Sequence, residues 1–193
     1  MNFKPGLFLF LLITSTFCYS QQGFEREHRI KKSQFPLLNN PQLVPDQGIK
    51  QLKYYKETDH SLSQYILRFK RDRIKYYMNF DNNGTLLKLG LRVNAVDIPS
   101  ASYTIISTYL DHHFDRFKIR RMFQEYAVTD RTTSIETVKN AFQNMLLPDN
   151  QYKILLRGKN DGEWITYEAY FKADGEFIKI RHALPPDYDH ILY

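Results

Sequence analysis

The sequence predicts an α+β protein: antiparallel β-sheet from two duplicated helix-plus-meander units, with an amphipathic helix packed on a sheet face. Three observations predict it. From Ile49 onward, short runs rich in Tyr, Phe, Ile and Leu alternate with Lys, Arg and Glu, the period of a half-buried strand. Two stretches, near Ile98–Phe117 and Thr133–Leu147, replace that alternation with apolar residues at helical spacing. Finally, the second half matches the first at fixed offsets, and repeats govern the reading of a chain that contains them.

Residues 1–20 read as a secretory signal. Lys4 precedes an apolar run from Leu7 to Ile13, too short to span a bilayer, and Cys18 and Ser20 supply small residues for cleavage near Ser20. The expectation is a secreted or periplasmic protein with no later transmembrane segment. Cys18 is the one cysteine, so the chain from Gln21 carries neither a disulfide nor a thiol nucleophile. The formal net charge is +6, and about +5 without Lys4, which favours an anionic partner face but does not by itself indicate nucleic acid.

Residues 21–48 form a polar and then Pro-rich segment, with a short helix expected over Gly23–Lys32. Residues 49–96 form the first unit, with strands "IKQLKYYKET", "LSQYILRFKR", "RIKYYMNF" and "TLLKLGLRV". Asp72-Arg73 and Asp81–Gly84 separate the last three. Residues 97–193 form the second unit. It comprises the Ile98–Phe117 helix, the strand "FKIRRMFQEYAV", a helix inserted at 133–147, and strands "YKILLRGK", "WITYEAYFK" and "EFIKIRHAL". "RGKNDGEW" reads as a longer hairpin loop.

The repeat is explicit. Tyr76, Phe80, Gly84 and Lys88 precede Tyr167, Phe171, Gly175 and Lys179 by ninety-one positions, and Lys50, Lys53, Tyr55 and Glu57 precede Lys118, Arg121, Phe123 and Glu125 by sixty-eight. The difference of twenty-three residues is the length of one helix with its flanks. Two halves of this kind either share one continuous sheet or pack as pseudo-symmetric units.

"NFDNNG" invites a calcium-loop reading, with oxygen ligands from Asn79, Asp81 and Asn83 ahead of Gly84. The twelfth position, which needs a bidentate Glu, is Gly90, and the flanks read as strands. The equivalent "YFKADGEF" places Lys172 where a ligand is required. Both are therefore read as hairpin turns with a glycine at positive φ. Asn83-Gly84-Thr85 is also formally a glycosylation sequon.

The hairpins "NFDNNGTLL" and "YFKADGEFI", following a helix and antiparallel strands, resemble the PepSY-like family with a beta-lactamase-inhibitor-like fold, as two tandem units after Ile49. The resemblance implies an exported protein without catalytic machinery that binds or inhibits other proteins. The first unit departs by its broken, Pro-rich start, and the second by its inserted helix and by Lys172.

Chemistry is sparse. No Gly-x-Ser-x-Gly, phosphate loop or His-Glu-x-x-His is present. "DHHFD" offers Asp111 and Asp115 on one face of the first helix with His112 beside Asp115, a zinc-type arrangement if three ligands converge with a second shell, or else a polar helix end. Asp187, Asp189 and His190 cluster in the tail, either as acid and base or as a segment docked by its apolar residues. Lys53, Tyr54, Tyr55 and Lys56 are the candidate partner-binding residues, because tyrosine flanked by charge suits an interface. The alternative there is tyrosine inward and lysine to water.

The function expected is thus an exported, non-enzymatic binding protein, inhibitor-like by type, recognising an unknown protein or peptide in the envelope or outside, with no cofactor and no nucleic acid. The alternatives are a metal-dependent or acid–base enzyme using His112 and Asp115 or Asp187, Asp189 and His190, and an envelope-associated structural protein.

Overall fold

The computed structural model describes residues 26–59 and 62–183. Residues 1–20, and the tail with Asp187, Asp189 and His190, lie outside the described residues. Among those described, nine strands run in the order β1 (Arg26–Ile30), β2 (Lys50–Asp59), β3 (Leu62–Arg71), β4 (Ile74–Phe80), β5 (Leu86–Val93), β6 (Arg116–Ala127), β7 (Gln151–Asn160), β8 (Glu163–Lys172) and β9 (Phe177–His182). Helix α1 (Ser100–His113) joins β5 to β6, and α2 (Ser134–Phe142) joins β6 to β7.

The expected fold class is overturned. The strands form one antiparallel sheet in strict sequence order, so the protein is mostly β and not two helix-plus-meander units. The reason is backbone pairing across the presumed boundary. β5 pairs with β6 from Lys88↔Ala127 to Val93↔Met122, which leaves no seam between halves. What the offsets detected is a likeness between hairpins. β4–β5 and β8–β9 carry register shifts at Asn79/Phe80 and Tyr170/Phe171, positions ninety-one apart.

A second correction concerns residues 23–32. Of these, Arg26–Ile30 is a strand paired with β2, from Arg26↔Thr58 to Ile30↔Tyr54, in place of the expected helix, and residues 23–25 lie outside the described residues. Its few apolar residues offer no helical stripe to bury, and an open edge of sheet satisfies the backbone instead.

The turns follow from local chemistry. Asp72 and Arg73 (φ 49° and 68°) close β3–β4, and Asp161 and Gly162 (φ 51° and 89°) close β7–β8, both with the positive φ that matches strand twist. "RGKNDGEW" is therefore a tight reversal rather than a long loop. Asp81 Oδ1 accepts from the backbone N–H of Asn83 (2.9 Å) and Thr85 (2.8 Å), so its carboxylate is spent on the turn, in agreement with the hairpin reading.

One face of the sheet is covered by three segments side by side. Phe35, in the stretch after β1, packs edge-on against Tyr54, Tyr65 and Phe80. Phe142 of α2 meets Phe69 and Tyr76, while Tyr109 of α1 stacks on Phe177 and meets Phe171 edge-on. Beneath them lie Met78, Leu89, Ile106, Leu110, Ile154 and Leu156, all fully buried. Helix α2 begins with a capping box in which Thr133 and Glu136 exchange side-chain-to-backbone bonds. Its next segment is anchored by the Met145 carbonyl, which accepts from Gln124, Tyr126 and Asn150. Burial pushes the Tyr126 phenol up to about 12, so it remains a donor there.

The cap can be tested alone. Thr133→Ala should lower stability by about 1 kcal/mol, read as a reduced urea midpoint with unchanged slope. An unmoved midpoint would mean that packing alone holds α2.

Candidate binding surface on the concave face

The opposite face carries no helix among the described residues. Its floor is a small cluster, Tyr55 (β2), Ile66 (β3) and Tyr77 (β4), with Phe123 (β6) packed against it. Strand β5 passes between Tyr77 and Phe123 without a side chain, because Gly90 stands there. Tyr77 is paired with Gly90, and Gly90 with Glu125. The Tyr77 ring lies across Gly90 where a Cβ would sit, and its hydroxyl donates to the Glu125 carboxylate. Burial, reinforced by that carboxylate, raises the Tyr77 phenol well above its ordinary value.

Charges are built into this floor as matched sets. Glu125, with a side chain only 4% exposed, receives Lys88 Nζ at 3.0 Å on both oxygens. Glu168 (β8) takes Lys153 Nζ (β7) at 2.6 Å, Arg181 (β9) at 2.8 Å and the Tyr170 hydroxyl at 2.9 Å. Burial alone would raise the Glu168 carboxyl, but Lys153 and Arg181 outweigh it and hold it at about 2. For Lys153 burial pulls the other way, and Glu168 outweighs it, so its ammonium sits above the usual lysine value.

Arg181 also reaches Glu57 on β2, at 3.3 Å. Seven strand-to-strand steps separate β2 from β9, and at about 4.8 Å each these would span roughly 34 Å on a flat sheet. Two side chains cannot bridge that distance, so the sheet is curled and this face is concave. The bridge separates two recesses of about 170 and about 290 Å³, which share Glu57, Asn79 and Lys153 as lining. Small-molecule pockets run from about 300 to 1,000 Å³; these recesses suit inserted side chains.

The residues singled out from the sequence fall unevenly on this surface. Lys53 lines the smaller recess, and Tyr55 belongs to its buried floor. Tyr54 faces the other side, packed against the main core by Phe35, and Lys56 lies over the Tyr65 ring there. The strand period thus divides the four residues between the two faces. His112 and Asp115 do not share a helix face. Helix α1 ends at His113, Phe114 is extended, and the Asp115 N–H turns to the Lys159 carbonyl at 3.1 Å. No group of three or more His, Cys, Asp or Glu is placed to hold a metal among the described residues. Asp187, Asp189 and His190 lie outside them, and Asn83 sits exposed in its turn.

Sequence reasoning passed over Glu125, Lys153, Glu168 and Arg181, the residues that organise the surface. A signal existed for the carboxylates: Glu125 in "QEYAV" and Glu168 in "YEAYF" each interrupt a locally aromatic stretch of their strands.

Two expectations follow. Gly90→Ala forces the Tyr77 ring off β5 and should cost about 1–3 kcal/mol, seen as a lower thermal midpoint together with altered near-UV circular dichroism from Tyr77. Glu168, depressed from 4.5 to about 2, contributes stability that is complete above about pH 4.5 and lost as pH falls through about 2. Glu168→Gln should be less stable at pH 7 by about 3–5 kcal/mol, because it strands the Lys153 charge. In urea titrations from pH 6 to 2 it should also lose the wild-type acid limb. A wild-type limb that survives this substitution would sink the assignment.

No family model matches the chain, and no curated protein matches it. Among solved structures the chain is similar to a BLIP-like protein from Bacteroides fragilis, at a TM-score of 0.44 and 11% identity, over 76% of this chain and 83% of that one. A likeness of this extent assigns neither a family nor a function.

Proposed function

We propose that this chain is an exported, non-catalytic binding protein that holds a protein or peptide partner on the concave face of its sheet. The observation that carries the reading is the asymmetry of the sheet. One face is filled by α1, α2 and the segment around Phe35, whereas the other presents aromatic and charged side chains from nearly every strand around two side-chain-sized recesses. Preorganised charge and aromatic surface of this kind suit recognition. Export rests on the leader read in residues 1–20.

The buried charges argue against acid–base catalysis at this face. A general acid or base works best with a pKa near the operating pH. Glu168 is held at about 2 and Lys153 above its ordinary value, so both stay ionised throughout the neutral range. They fix shape and potential and do not exchange protons.

A pull-down from the envelope fraction of the source organism, with the chain from Gln21 as bait, tests the proposal. Wild type should retain one stoichiometric protein at moderate salt. Leu155→Trp, which fills the smaller recess from β7, should lose it, and Val96→Glu, at a site 90% exposed, should keep it. Thermal midpoints of both variants control for folding. Retention of the same protein by Leu155→Trp, or no retained protein at all, would overturn the reading.

A further inference from the structure

We propose, on the strength of the binding reading above, that the arm formed where β6, β7 and β8 run past their neighbours holds an extended segment of the partner with carboxylates two residues apart. β5 pairs with β6 only from Met122 to Ala127, and β9 pairs with β8 only from Tyr167 to Phe171. Residues 116–119 of β6, 157–160 of β7 and 163–166 of β8 therefore continue as a three-stranded arm without β5 or β9 paired to it.

Strand alternation fixes what the arm presents beside the recesses. Phe117, Ile119 and Leu156 turn into the main core, and the Phe114 ring lies against Gly158 on that side. Arg116, Lys118, Arg157 and Lys159 stand on the opposite side, the side of Leu155 and the smaller recess. They form two direct cross-strand pairs of like charge, Arg116↔Lys159 and Lys118↔Arg157. Such pairs destabilise a sheet, so the fold carries them at a cost. Among the described residues no carboxylate pairs with any of the four, although Asp115, Asp161 and Glu163 stand exposed on the arm and its ends. Trp164 is the partner of Lys159 on β8, is 43% exposed, and has the Arg157 guanidinium over its ring at 5.5 Å. An indole that orders an arginine beside unpaired cations has the composition of an interface anchor.

Spacing along a single strand selects the ligand, so the curl across strands does not enter. The two cation pairs are two residues apart on β6 and on β7, or about 6.6–6.8 Å. One small oxyanion neutralises one pair and leaves the other. Carboxylates at positions i and i+2 of an extended segment repeat at the same spacing and meet both pairs, with the arginines as bidentate partners. The line of such a segment continues into the smaller recess. Leu155 precedes Arg157 by two residues on β7, which keeps continuous register with β8 from Gln151 to Asn160. The ligand is therefore a side chain seated in the recess, followed two and four residues on by carboxylates.

Trp164 is the one tryptophan of the chain, so its emission reports directly on the arm. The probe is the capped peptide Leu-Thr-Glu-Thr-Glu, titrated into the full chain. It should shift the emission saturably, and the effect should weaken with salt. Leu-Thr-Thr-Glu-Glu has equal charge but puts its carboxylates on opposite sides of an extended chain, and should bind at least about fivefold more weakly. Arg116→Gln/Lys118→Gln should raise the Kd of the first peptide about tenfold or more. Arg116→Lys/Lys118→Arg should restore binding, which separates lost charge from lost folding. Lys179→Gln, in the second recess, should change little. Equal binding of the two peptides, or of the first peptide to wild type and the double Gln variant, would overturn the proposal. So would displacement of that peptide by inorganic phosphate or by an oligothymidylate at the peptide's own concentration. If the double Gln variant captures the envelope partner as wild type does, the arm inference fails and the binding reading stands. If the peptide binds at the arm but wild type captures no protein, the arm stands and the binding reading fails.

Discussion

Glu168 lies between Lys153 and Arg181 in the floor of a sheet, and Arg181 passes the connection on to Glu57, 124 residues earlier in the chain. The curl of the whole molecule depends on this constraint. Each member desolvates the next, so removing one leaves a stranded charge, whereas the intact set is neutralised from every side. Such a network contributes less net stability than an apolar core of the same volume would. Its effect is on geometry: it sets how far β9 folds towards β2, and with that the width of the concave face.

The two faces solve different problems with the same strand alternation. On the convex side Met78, Leu89 and Ile154 exclude water under α1, α2 and the Phe35 segment, and dispersion and burial do the holding. On the concave side that area is unavailable, so order comes from paired charges and from aromatic rings clamped by them. Arg68 over Tyr55 and Lys153 near Tyr77 and Tyr170 are instances. Gly90 joins the two solutions. By omitting one side chain it allows a ring from β4 to reach a carboxylate on β6, stitching three strands with a single phenol.

Much of the fold was legible because strand alternation and turn chemistry are local. The eight strands from Ile49 onward, both helices and the Asp81–Gly84 hairpin follow from period, caps and glycines. Strand β1 was not legible, because five residues reading "REHRI" become a strand only through a partner 24 to 32 residues away. The single sheet was hidden for the same reason: the β5–β6 pairing spans a helix, and no local signal announces it. At the candidate site, Lys53 and Tyr55 were singled out because Tyr beside Lys draws attention in one strand, and both stand on the concave face. Lys70, Lys75, Arg92 and Arg121, which line the same recess, were missed, since they come together only across strands.

The strict sequence order of the strands has a kinetic consequence. Each strand pairs with the one made just before it, so loop closure is slight at every step but β1–β2, β5–β6 and β6–β7, a regime of low contact order for an all-antiparallel sheet that favours rapid folding. Growth is directional: a hairpin of β2 and β3 offers an edge to β4, and so on to β9. The Arg181–Glu57 contact stands outside this order, because it joins ends that meet only after all the intervening strands are laid down. Closing the cradle therefore carries a loop-closure cost that pairing between neighbouring strands does not.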